Sequence, residues 1–75
     1  MIEERVYAIL RSILEIEVNA NTQVSMQNCE QWTSLAHIDI VMSVEEEFGI
    51  AFLEQDFSKI TSQESLVFRV KELCQ

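Results

Sequence analysis

A hydroxyl pair and a nearby imidazole are the side chains of this 75-residue chain with the clearest chemical potential. Thr33 and Ser34 lie between Trp32 and an amphipathic run, and His37 follows three residues after Ser34, so a helix would place Ser34 and His37 on one face. One chemistry for such a pair is a serine nucleophile with a histidine base. That site also needs an acid to orient the base and a preorganised oxyanion hole, and the sequence indicates neither. We therefore do not expect an enzyme.

A helix that starts here would give Ser34 a second kind of chemistry. The first N–H groups of a helix have no intrahelical partners and lie at the positive end of its dipole, so they favour an anion such as phosphate. Ser34 Oγ could carry a phosphate as an ester, while either Thr33 or Ser34 could simply cap the helix. We expect His37 to be neutral and to pack or contact a loop, because a positive charge is disfavoured near a helix N-terminus.

Periodic apolar residues predict the helices that must position this serine. They recur at steps of three and four over residues 2–16, which predicts a first helix. A second such run covers residues 34–48, with Gly49 as a left-handed stop, and its wide apolar arc predicts an exposed apolar strip. Residues 18–33 lack periodicity and predict a long loop. The expected anchors of this loop on the core are Val24, Met26 and Trp32.

The last third of the chain predicts two further helices. Residues 54–59 allow only a short helical turn, with Leu53 and Phe57 pointing inward, and Thr61 and Glu64 have the spacing of a capping box that opens the final helix. The predicted fold is therefore all-α: a small four-helix bundle with three main helices and a short third one, in a single domain over residues 1–75. The inward side of the final helix would carry Leu66, Val67, Val70, Leu73 and Cys74.

Charge restricts the class of partner. The chain has a formal net charge of −8, and no Lys or Arg occurs between Arg11 and Lys59, an interval that holds nine acidic residues. Nucleic acid is therefore not an expected partner, because phosphate binding requires cationic side chains. A basic protein surface would be attracted instead, although an acidic surface can also serve solubility alone.

The cysteines and the N-terminus bear on the compartment. Cys29 and Cys74 have no neighbouring Cys or His at metal-ligand spacing, so we expect free thiols and no metal site. The N-terminal segment begins with acids, unlike a signal peptide, and no stretch approaches the roughly 18 to 20 apolar residues of a membrane span. We expect a cytoplasmic monomer without membrane contact.

The window TSLAHIDIVMSVEEEFGI, residues 33–50, resembles the acyl carrier protein family. That family has an Asp-Ser-Leu triplet at the start of a helix that ends in acidic residues and Phe, and Ser34 and Leu35 match the triplet. The resemblance extends to IEERV at residues 2–6, to the D-x-x-K-I-T run at residues 56–61 and to the final helix, so it covers nearly the whole chain.

This resemblance implies a fold, a cofactor and a role. The fold would be a four-helix bundle of the acyl carrier type, and Ser34 would carry a covalent 4′-phosphopantetheine that a phosphopantetheinyl transferase attaches from coenzyme A. The arm would hold an acyl group as a thioester for delivery to partner enzymes of fatty-acid, polyketide or related specialised biosynthesis. The protein itself would catalyse nothing.

A partner face on the serine-bearing helix is also implied. Acidic side chains would meet basic patches on acyl-loading and acyl-transfer enzymes beside apolar contacts, in weak and quick binding, although Ile38 and Met42 could instead belong to the core. The residues expected to contact partners are Thr33, Leu35, Ile38, Asp39, Met42, Glu45 and Glu46, with Glu30 as a further candidate. An acyl chain could lie between the helices, lined by Ile40, Val44, Phe48, Ile50, Ile60, Leu66 and Val70.

Departures from the family pattern leave alternatives open. Thr33 replaces the usual Asp before the serine, and it lacks the negative charge that a transferase can read. Trp32 and His37 give W-x-S-L-x-H, which looks more like discrete carriers of specialised pathways. An aminoacyl or peptidyl carrier is one alternative, although those domains are generally less acidic around the serine helix. An unmodified acyl-carrier-like interaction module is the other, and the cargo stays open.

Overall fold

The computed structural model describes residues 1–74 as four α-helices joined by loops. α1 spans Ile2–Leu14, α2 spans Ser34–Phe48, α3 spans Glu54–Phe57 and α4 spans Gln63–Leu73. This architecture, with three main helices and a short third one, confirms the predicted small all-α bundle, and the acyl carrier type of that bundle stays a prediction. None of these helices is both long enough and apolar enough to cross a membrane.

α1 supplies one long side of the core. Val6, Leu10 and Leu14 recur every four residues and are almost completely buried, and the helix packs against both α2 and α4. α1 ends two residues before the predicted limit, because Glu15 adopts the left-handed conformation with φ 57° and ψ 40°. The Glu15 N–H closes the helix on Arg11 O at 2.9 Å.

α2 begins and ends at the residues that the sequence indicates. Thr33 is the N-cap, and its Oγ1 accepts a hydrogen bond from Ala36 N–H at 3.1 Å. Gly49 ends the helix in the left-handed region with φ 65°, and its N–H bonds Glu45 O. Both predicted limits are confirmed, and of the two candidate hydroxyls it is the one at Thr33 that caps.

α3 reverses the burial predicted for its segment. Leu53 and Phe57, expected to point inward, are 55 % and 40 % exposed, whereas Asp56 is only 6 % exposed. Asp56 Oδ2 accepts a hydrogen bond from Leu53 N–H at 2.9 Å and one from the Arg69 guanidinium of α4 at 3.1 Å. Because the buried carboxylate has these partners, the inner side of α3 is polar, and Phe57 of α3 and the N-cap Leu53 lie outside.

α4 begins one residue after the position that the capping-box prediction gave. Ser62 is the N-cap, and Ser62 and Ser65 exchange backbone-to-hydroxyl hydrogen bonds of 3.1 Å in both directions. The predicted Thr61–Glu64 box is therefore wrong by one residue. A serine at the third helical position completes the box, while Thr61 O accepts a bond from Met26 N–H of the loop.

The inner face of α4 follows the prediction except at its end. Leu66 and Val70 are fully buried, and Val67 and Leu73 are partly buried. Cys74 is exposed, because it lies just past the last helical residue and there caps the helix rather than facing the core. Cys29, like Cys74, is a free thiol, although it is buried.

The loop between α1 and α2 is tied to the core and to α4. Val24 and Trp32 are buried and Met26 is partly buried against the core, so the predicted anchors are confirmed. Gln63 of α4, only 5 % exposed, donates from Nε2 to Asn19 O at 2.7 Å, and its own N–H bonds Val24 O at 2.7 Å. These contacts fix the path by which the chain reaches the start of α2.

Candidate functional site at the start of α2

Ser34 is the first residue of α2 and is exposed to solvent. Its side chain makes no hydrogen bond with another described residue, since the capping bond to Ala36 N–H comes from Thr33. The N–H groups of Ser34 and Leu35, which helix geometry leaves without intrahelical partners, likewise bond no described residue. An accessible hydroxyl thus lies beside two free donors at the positive end of the helix dipole.

His37 connects the loop, α2 and α3 in a buried hydrogen-bonded bridge, called here the Trp32–His37–Phe57 bridge. Trp32 Nε1 lies 3.0 Å from His37 Nδ1, and His37 Nε2 lies 2.7 Å from Phe57 O. Because an indole N–H can only donate, Nδ1 must accept, and the ring proton therefore resides on Nε2 and is donated to the carbonyl oxygen. The predicted contact of His37 with the loop is confirmed.

This bridge bears on the serine–histidine interpretation. His37 is only 3 % exposed, and its ring packs edge-on against the Phe57 ring with centroids 4.6 Å apart. Both imidazole nitrogens already have partners. Neither nitrogen is therefore free to accept the proton of Ser34, and the structure gives that pair no catalytic geometry.

Three apolar side chains of α2 lie exposed on the same side of the helix. Leu35, Ile38 and Met42, spaced three and four residues apart, are 80 %, 44 % and 62 % exposed, and we call them the apolar face. The predicted exposed strip is confirmed. The core alternative for Ile38 and Met42 is wrong, because the inner side of α2 is already filled by the buried Ile40 and Val44.

α3 extends the exposed apolar surface next to α2. Leu53 and Phe57 line an open cleft of about 460 Å³ between the two helices, together with Val41 of α2 and Phe52 of the connecting loop. Leu53 and Phe57 were expected in the core, so the sequence did not indicate this exposed apolar surface.

Acidic residues near the apolar face differ in their surroundings. Asp39 and Glu46 are exposed, and neither makes an ion pair with another described residue. Glu45 is partly buried, and its Oε2 accepts a hydrogen bond from Phe52 N–H at 2.7 Å. Glu45 thus orders the α2–α3 loop, a role that the sequence did not indicate, while its predicted contact with partners stays a prediction.

Most of the cationic side chains are occupied within the fold. Three of the five make ion pairs, and a fourth donates to a backbone carbonyl. None of these contacts involves Asp39 or Glu46, so the negative charge of those two residues is not neutralised by a described neighbour. The contacts are Arg5 with Glu47, Arg69 with Asp56, Lys71 with Glu3, and Arg11 with Val18 O.

The electrostatics of α3 depend on Asp56. The hydrogen bond from Leu53 N–H, followed by the contact with Arg69, lowers the pKa of Asp56 below its ordinary value. The same carboxylate raises the pKa of Arg69. Asp56 therefore remains ionised at neutral pH and holds α3 to α4.

The residues predicted to line an acyl chain belong to one core. Ile40, Val44, Ile60, Leu66 and Val70 are buried. Phe48 and Ile50 are partly buried and pack against that core. The structure thus brings the predicted lining together, and its opening to admit a chain stays a prediction.

Comparison with known proteins gives no family assignment. No protein-family model matches the chain, and no curated protein sequence matches it. The function must therefore be inferred from the residues around Ser34 and from the resemblance of the sequence.

Proposed function

We propose that this protein is a discrete acyl carrier protein, a bundle of the acyl carrier type that carries acyl groups on a 4′-phosphopantetheine arm attached to Ser34. The observation that carries the proposal is the exposed Ser34 hydroxyl, which has no hydrogen bond to a described residue at the start of α2. Thr33 makes the capping bond, so Ser34 is not needed as a cap. The Ser-Leu pair and the acidic, Phe-terminated helix that follows support the same proposal.

The residues at the start of α2 fit a phosphodiester. Its charge would lie beside the free N–H groups of Ser34 and Leu35 at the positive end of the helix. In the proposed attachment, Ser34 Oγ would form a bond to the β-phosphorus of coenzyme A, the P–O bond to the departing adenosine 3′,5′-bisphosphate would break, and the hydroxyl proton would pass to a base on the transferase. When bound, the arm supplies a thiol that holds an acyl group as a thioester.

The surface near Ser34 supports recognition by basic partner enzymes. The apolar face offers contact area, and Asp39 and Glu46, which make no ion pair within residues 1–74, offer negative charge beside it. Apolar contact combined with charge attraction suits partners that associate quickly and leave again. The partners in this proposal are a phosphopantetheinyl transferase and acyl-loading and acyl-transfer enzymes. The protein itself would act as a monomer in the cytoplasm. Thr33, next to the serine, and Glu45, on the same helix, complete the proposed contact set.

The experiment that tests the proposal is the intact mass of the purified protein after incubation with coenzyme A, Mg²⁺ and a broad-specificity phosphopantetheinyl transferase. A phosphopantetheine adduct is expected on the wild type and on Ser12→Ala, a change at an exposed serine of α1, but not on Ser34→Ala. If several transferases leave the wild type unmodified, an unmodified interaction module replaces the carrier. If the protein carries phosphopantetheine but its thiol accepts only aminoacyl groups, the protein is instead an aminoacyl carrier.

A further inference from the structure

Ser34 lies between two residues that are hydrogen-bonded to each other, and the second of them is also bonded to α3. Trp32 precedes it by two positions and His37 follows it by three, and the pair is joined by the 3.0 Å bond from Trp32 Nε1–H to His37 Nδ1. His37 then donates to Phe57 O, the carbonyl of the last α3 residue, at 2.7 Å. The chain around Ser34 is thereby held to the C-terminal end of α3.

α3 depends on such contacts because it is too short to be stable alone. It contains four residues, far fewer than an isolated helix needs in water. Asp56 fastens it to α4 through Arg69, and the Trp32–His37–Phe57 bridge fastens it to the start of α2. Loss of the bridge would leave α3 attached to α4 through Arg69 and its preceding loop attached to α2 through Glu45, but would remove its hydrogen-bonded link to the start of α2.

We propose that His37 is a positioning residue that holds Ser34 and the exposed side chains of Leu53 and Phe57 in one fixed arrangement, which the transferase recognises as a single surface. This inference rests on the proposed function. Leu53, the N-cap of α3, and Phe57, its last residue, are exposed, as is the apolar face of α2. A surface assembled from two helices binds more weakly when one of them must be ordered on binding.

The role requires one acceptor and one donor that are bonded to the same carbon atom, as Nδ1 and Nε2–H are bonded to Cε1 of the imidazole. His37→Gln keeps both, because a carboxamide oxygen can accept from Trp32 and its NH₂ can donate to Phe57 O. His37→Met has a similar size and removes both hydrogen bonds. Val67→Ala, at a partly buried residue of α4 remote in sequence from the bridge, is the control for general loss of stability.

Two measurements separate positioning from folding. Trp32 is the single tryptophan of the chain, so hydrogen exchange at its indole N–H, followed by NMR, reports the bridge directly. Transferase kinetics on each variant, at a temperature where thermal unfolding shows all of them folded, report recognition of Ser34.

We expect His37→Met to exchange the indole N–H faster and to raise the transferase KM for the carrier about three- to tenfold, the effect of one or two lost hydrogen bonds, with kcat unchanged. His37→Gln should restore both values, and Val67→Ala should leave KM unchanged. Fast indole exchange in His37→Met with an unchanged KM would overturn the positioning role while the carrier function stands. An equal rise of KM in Val67→Ala would also overturn it. A wild type that no transferase modifies would overturn both proposals.

Discussion

Thr33 and Ser34 divide two tasks that either hydroxyl could perform. Thr33 Oγ1 accepts from Ala36 N–H at 3.1 Å, so the cap is complete and Ser34 Oγ stays exposed. If the serine were the cap, its oxygen would be turned toward the helix and less accessible to a second protein. Thr33 thus supplies the cap, and the Ser34 hydroxyl remains accessible.

At the same position, Thr33→Asp should speed modification of Ser34 by a generic transferase. Aspartate is as good an N-cap as threonine and adds the negative charge that the family has before its serine. The measurement is the initial rate of adduct formation by mass spectrometry. Thr33→Ala is the control, and it should lose about 1 kcal/mol of unfolding free energy with the cap. An unchanged rate in Thr33→Asp would show that this position does not limit transferase contact.

The helix limits illustrate what a sequence can and cannot predict about elements. The ends of α2 were predictable because Thr33 and Gly49 act through local backbone geometry. The burial of α3 was not, because Asp56 turns inward toward Arg69, thirteen residues away, which no local pattern indicates. His37 is similar: the spacing to Trp32 is visible in the sequence, but the acceptor of its second bond is a backbone carbonyl twenty residues away. The helix start at Ser34 was predictable, but the exposure of its hydroxyl was not, because either Thr33 or Ser34 can accept the capping bond.

α1 ends in a strained residue that can be relieved. Glu15 holds φ 57°, a conformation that costs a non-glycine residue about 1 to 2 kcal/mol. Glu15→Gly should therefore raise the free energy of unfolding by about 0.5 to 1 kcal/mol after the added flexibility of the unfolded chain is subtracted. Urea unfolding measures this, with Glu15→Ala as the control that removes the charge but keeps the strain. Equal stabilisation in both variants would assign the gain to the charge.

The attachment of α3 should depend on pH through Asp56. The folded state lowers the pKa of Asp56, so its contribution to stability is complete above the ordinary carboxyl pKa, about 3.9, and is lost as the pH falls through the folded-state pKa. Asp56→Asn should thus be less stable than the wild type at neutral pH, and the gap should narrow below about pH 4. Arg69→Met removes the ion pair but keeps the hydrogen bond from Leu53 N–H, so the pKa of Asp56 should remain lowered to a smaller extent and part of the pH dependence should persist.

Chemical unfolding at a series of pH values measures the free energy of unfolding of the wild type, Asp56→Asn and Arg69→Met. A stability difference between wild type and Asp56→Asn that is as large at pH 3 as at pH 7 would contradict the assigned role, because the carboxylate would then not be the stabilising form.

For the whole molecule, the net charge of −8 shows which surface could attract a basic partner once the cationic side chains that are already paired have been identified. Arg5, Arg69 and Lys71 are occupied by carboxylates of the same chain. The exposed Asp39 and Glu46 have no such partner among the described residues, so their negative charge faces outward beside the apolar face. A basic surface on a partner enzyme would be steered toward that side of α2.

Asp39→Lys should therefore lower kcat/KM for modification of Ser34 and weaken its dependence on ionic strength. Charge attraction between carrier and transferase is screened by salt, so removing the attraction removes part of the salt effect. The control is Glu4→Lys, which makes the same change of net charge at an exposed residue of α1. Equal losses in the two variants would show that overall charge matters and the face of α2 does not.

The central claim is that Ser34 itself carries the arm, and a mass measurement on one peptide tests it most directly. Cleavage after glutamate releases residues 31–45, QWTSLAHIDIVMSVE, which contain Thr33, Ser34 and Ser43. After incubation with coenzyme A and a transferase, fragmentation of this peptide should place the phosphopantetheine on Ser34. An adduct on another residue, or an unmodified peptide with every transferase that modifies a control carrier, would contradict the account.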